Sequence, residues 1–80
     1  MTPDPDRSTR IARDQAESLM AHLDTVVAQL ERQVTALEGA AAEPGCRTAA
    51  RLLADATQRR RELSEARSHR DALRVVAERS

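Results

Sequence analysis

From Ile11 to Ala41 the apolar residues return in steps of three and four: Ala12, Ala16, Leu19, Met20, Leu23, Val26, Val27, Leu30, Val34, Leu37, Ala40 and Ala41. A strand alternates every second residue, so this spacing specifies an amphipathic helix, predicted over about residues 9–41. The apolar positions fall into three rows at heptad spacing. Ala16, Leu23, Leu30 and Leu37 form the middle row, with Ala12, Leu19 and Val26 on one side and Met20, Val27, Val34 and Ala41 on the other. Such a stripe is wider than a two-stranded seam needs. Beside the Val27 row runs an acidic ridge, Glu17, Asp24, Glu31 and Glu38, again seven apart.

The segment "GAAAEPG", residues 39–45, interrupts the pattern. Pro44 is unsuited to a helix interior but fits the first turn of a new helix, so the chain is expected to turn here and to continue as a second helix over about residues 45–78. Ala49, Leu52, Leu53, Ala56, Leu63, Ala66, Leu73 and Ala77 are expected inward, in a thinner stripe broken by Arg59 and Arg70. Two long helices joined by a short link make an all-α antiparallel hairpin, coiled-coil-like, over residues 9–79. Residues 1–8, with prolines and aspartates and no apolar periodicity, read as a disordered N-terminal tail.

A reversal near Ala42 and Glu43 would set Leu37 against Ala49, Leu30 against Ala56, Leu23 against Leu63, Leu19 against Ala66 and Ala12 against Leu73. The seam is then Leu19, Leu23, Val26, Leu30, Leu37, Leu52, Ala56, Leu63, Ala66 and Leu73. The same register pairs Arg60 with Asp24 and Arg67 with Glu17. Residues 1–45 hold four Arg against eight acids and residues 46–80 nine Arg against five, net −4 and +4, so the two halves complement each other.

Composition bears on how such a hairpin is stabilised. The chain has no Phe, Tyr or Trp among its 80 residues, and much of its apolar content is alanine, which buries little area per residue. A lone hairpin of this kind has no interior. The Met20, Val27, Val34 and Ala41 row is therefore expected on an outward flank, as the face on which two hairpins dimerise into a four-helix bundle.

All 13 basic residues are Arg, as GC-rich bacterial codon usage favours, and they balance 13 acids. Zero net charge removes any general attraction to nucleic acid or anionic lipid. The triplet Arg59, Arg60 and Arg61 lacks an aromatic or Asn-rich reading set beside it, so nucleic-acid binding is not the favoured reading. The N-terminal segment does not have the form of a signal peptide and no apolar run reaches the span of about 18 residues that a membrane requires. With a single cysteine, a cytoplasmic protein is the expectation.

Metal, cofactor and catalytic readings find little in the pattern. His22 and Glu62 are brought together by the expected register, but ligand spacing such as Glu-x-x-His is missing, and a solvated pair is the prediction. Cys46 is placed in the first turn of the second helix, a position that can activate a thiol, with no partner Cys or catalytic His evident. With only two glycines there is no phosphate-cradling loop. No catalytic residue, cofactor or metal is predicted. Arg59 and Arg70, in seam positions where leucine would pack better, are the candidate contacts for a partner or an anion.

The outline is similar to that of the small helical-hairpin anti-sigma factors of filamentous actinobacteria, which bind a cyclic dinucleotide. The ordered Glu, Ser, Arg, Gln and Asp motif of that family has no counterpart in this sequence. The expected function is that of a small non-enzymatic adaptor or regulatory protein acting through self-association and binding to another protein. The alternatives are an arginine-mediated nucleic-acid-binding or transcription-regulatory protein, anti-sigma-like activity included, and a structural scaffold unit.

Overall fold

A computed structural model describes residues 5–79, with side chains from Arg10 onward. Two helices, α1 (Pro5–Ala41) and α2 (Ala49–Arg79), pack against each other as an antiparallel hairpin, with no strand among the described residues. The molecule is a rod of 70 × 18 × 14 Å. Its radius of gyration is 18.8 Å, against about 12 Å for a globular chain of this length.

Both helix starts differ from the sequence expectation. α1 begins at Pro5, where the missing N–H is one of the donors that a helix start leaves unpaired in any case. Pro5 to Ser8, expected in the tail, therefore belong to the helix, and the rest of that tail lies outside the described residues. α2 begins at Ala49 rather than near Gly45 because Pro44 belongs to the turn. Cys46 N–H donates to the Glu43 carbonyl at 3.2 Å, Pro44 sits second in that four-residue turn, and Gly45 has a φ of +77°. Proline second and a positive-φ glycine third are the signature of a type II turn. Cys46 thus closes the turn and stands ahead of the helix, with Sγ 3.7 Å from Thr48 Oγ1. The Thr48 carbonyl accepts the first α2 bond, from Leu52 N–H at 2.9 Å.

The later start of α2 moves the register by one heptad. Glu38 meets Arg60 and Glu31 meets Arg67, while Val27, Leu30, Leu63 and Ala66 share one buried cluster that Leu23 and Val26 pack against. In that register Val27 and Leu30 lie across from Leu63 and Ala66, Glu38 lies beside Ala56, Val34 beside Leu63 and Arg67, and Leu37 beside Arg59. A heptad repeat matches itself after any whole-heptad slip, so apolar pairing alone could not choose between the two registers. Turn length does.

The ion-pair expectation is corrected with it. Arg60 takes Glu38 rather than Asp24, and Arg67 takes Glu31, at 2.8 Å, rather than Glu17. Every Cα–Cβ bond leans toward its own helix's N-terminus, and in antiparallel helices those directions oppose. Arg60 and Glu38 lean toward each other, whereas the expected pairs lean apart.

Candidate interaction surface

The face assigned to self-association lies inside the hairpin. Val27 is 5% and Val34 8% exposed, and Met20 and Ala41 are half-buried. Conversely Leu19, expected in the seam, is 52% exposed. The seam of α1 is thus rotated toward the Val27 row. From Met20 to Ala41 that row is uninterrupted and borders the acidic ridge that α2 clasps, whereas the Leu19 row is interrupted by Gln33 over the same stretch. The other predicted seam residues lie at the contact between the helices: Leu30, Ala56, Leu63 and Ala66 are buried, and Leu23, Val26, Leu37, Leu52 and Leu73 half-buried.

Arg59 and Arg70 occupy the α2 seam positions that the sequence assigns them, with different outcomes. Arg70 lies across the seam, its side chain 23% exposed. Its Nη1 donates to Asp24 Oδ1 at 3.2 Å, and its buried Nε, 3.9 Å from Asp71 Oδ1, makes no hydrogen bond. Arg59 swings outward, 46% exposed, and bonds Glu62 one turn ahead at 3.0 Å. Glu62 is therefore engaged within its own helix rather than with His22, which makes no hydrogen bond or ion pair among the described residues. No cluster of three or more metal-ligating side chains occurs among those residues. Both seam arginines already hold a carboxylate.

The two flanks of the seam contrast in charge. On one, Glu38–Arg60, Glu31–Arg67 and Asp24–Arg70 close an ionic zip. The first two pairs are exposed and contribute about 0.2–1 kcal/mol each, so the zip selects orientation more than it stabilises. On the other flank α1 presents Ala12, Gln15, Leu19, His22, Val26, Gln29, Gln33, Ala36 and Ala40, without a single Asp, Glu or Arg. All are exposed except the half-buried Val26. A shallow groove lined by Gln33, Ala36, Leu37, Asp55 and Arg59 follows its turn-proximal end.

Sequence reading missed this strip because its residues are individually unremarkable. Its signal is collective: in a chain that is 32% charged, charge is missing from one continuous helical surface. The strip runs about 42 Å along α1, at 1.5 Å per residue. Depletion of charge marks the core of protein interfaces more reliably than bulk hydrophobicity does.

No helix among the described residues is long and apolar enough to cross a membrane. No protein family, curated protein or solved structure matches the chain.

Proposed function

We propose that this chain is a small non-enzymatic helical-hairpin adaptor or regulatory protein of the bacterial cytoplasm, acting through self-association and binding to another protein. The observation that carries the reading is the uncharged, solvent-facing strip of α1 from Ala12 to Ala40. A surface meant only for water has no reason to exclude charge over eight helical turns, whereas a surface meant to be covered does, since burying an unpaired charge is costly. The groove beside the strip is shallow and open to solvent, unlike the enclosed sites in which catalytic groups are tuned. The bacterial and cytoplasmic parts rest on the use of Arg without Lys and on the single Cys46.

Nucleic-acid binding is the weaker reading, because Arg59, Arg60, Arg67 and Arg70 are each engaged by a carboxylate of the same chain. The test is affinity capture from the source cytoplasm with the intact chain and with Gln29→Glu, alongside titration of labelled duplex at two salt concentrations. The reading expects a defined protein retained through moderate salt. Retention of nucleic acid alone, lost steeply with added salt, would replace it with the rival.

A further inference from the structure

We infer that the uncharged strip of α1 is occupied by a second copy of this chain, antiparallel to the first across a two-fold axis at Val26. The inference rests on the reading above that the strip is an interaction surface, and it names the occupant.

The single hairpin leaves enough surface for a stable interface. The chain exposes 6232 Å², whereas a globular monomer of its 8.8 kDa exposes about 4800 Å². The excess, about 1400 Å² by that scaling, exceeds the roughly 800 Å² per partner that a stable interface buries. Among the described residues no side chain is fully buried in the single hairpin.

The strip is also close to symmetric about its own midpoint. An isologous contact must be complementary to its own inverse. Reversed about Val26, the strip sets Ala12 against Ala40 and Leu19 against Gln33 of the second copy and brings His22 within one residue of the level of Gln29, with Val26 meeting itself. Alanines at both ends allow close approach, the glutamine amide is a partner for the imidazole, and no charge meets another.

The charges of α2 suit the same axis. Counting from the Val27, Leu30, Leu63 and Ala66 cluster, Val26 falls level with Arg67, so the same axis sets α2 antiparallel to its own copy about that level. Asp55 then falls opposite Arg79, Glu65 opposite His69 and Glu62 opposite Ala72. In the first two pairs a carboxylate faces a basic side chain, and in the third a neutral one. The like-charge pairs that the reversal also generates, Arg67 with itself and Arg60 with Arg74, belong to the arginine ridge on the opposite flank, which faces away from the second copy. The assembly is a four-helix bundle with α1 beside α1 and α2 beside α2.

Sedimentation equilibrium of the full chain tests this. The wild-type chain is expected to be a dimer at tens of micromolar. His22→Glu with Gln29→Glu, both at exposed positions, sets acids against each other across the axis and should weaken association at least tenfold with helicity unchanged. Ser68→Glu on the outer face of α2 should leave it intact. Chains carrying His22→Cys mixed with chains carrying Gln29→Cys, all with Cys46→Ser, should form a mixed disulfide on mild oxidation. A wild-type monomer at 100 µM would overturn the inference while leaving partner capture as the separate test of the function. A dimer indifferent to the paired glutamates, or one that forms no mixed disulfide, would overturn the assigned face.

Discussion

Between Gln15 and Ala40 every carboxylate of α1 lies on the one row that α2 clasps, and the only other charged residue is Arg32. α2 instead carries Arg51, Asp55, Arg61, Glu62, Glu65, Asp71, Glu78 and Arg79 all round, beyond its seam and its arginine ridge. An exposed helix acquires charge on whichever faces stay wet. The difference therefore separates α2, which can meet another helix only through matched opposite charges, from α1, whose uncharged flank can be covered outright. It also explains why α1 is apolar over more than a seam's width while α2 has barely a seam.

The comparison is broken most severely at the seam. Leu30 is 7% exposed within the central cluster, and Leu30→Ala should cost roughly 2–5 kcal/mol, a large share of the stability of so small a core. Circular dichroism should show the helical signal lost or its thermal midpoint sharply lowered. Leu19→Ala on the strip should barely alter the helicity of the hairpin itself, while weakening its association. Equal thermal losses in the two variants, measured at a concentration too low for association, would mean that strip and seam are not distinct.

Gly45→Ala comes next. Its φ of +77° is available to glycine without strain, and an added Cβ would meet nothing within 4 Å, so the cost is conformational, roughly 1–2 kcal/mol. A chemical-denaturation midpoint unchanged by the substitution would argue against the type II turn that sets the register. Arg70→Leu should act in the opposite direction. Replacing a charged residue between the helices by one that packs against Leu23 should raise the thermal midpoint, by an amount on the order of 1 kcal/mol. A fall would mean that the Asp24 bond outweighs the packing.

The smallest effect belongs to the zip. A double-mutant cycle on Glu38 and Arg60 should give a coupling of about 0.2–1 kcal/mol that shrinks in high salt. A cycle on Asp24 and Arg60 should give nothing measurable. Coupling in the second cycle alone would restore the register shifted by one heptad.

Much of the fold was legible in the sequence. The three rows of α1 and the break at "GAAAEPG" specify two helices and a reversal, and Leu30, Leu63, Ala56 and Ala66 read as inward on periodicity alone. Register was not legible, because heptad rows are degenerate to heptad slips and the deciding element is a turn in which Pro44 and Gly45 act together. The choice between Leu19 and Val27 as seam residue also escaped, because each borders the middle row. It is settled by Gln33 interrupting one row and by the arginine ridge closing over the other. The strip was hidden for a different reason: it is defined by residues that are missing, and that is visible only when the helix faces are assigned.

The central claim is that the bare flank of α1 meets its own copy at Val26. Spin labels placed singly along that flank, in the Cys46→Ser background, measure it directly through their inter-chain dipolar distances. In an antiparallel two-fold pair, same-site labels should be closest at Val26 and separate by about 3 Å for each residue moved in either direction, twice the helical rise. A minimum at another position, distances that do not change along α1, or no inter-chain signal at micromolar concentration would contradict the account.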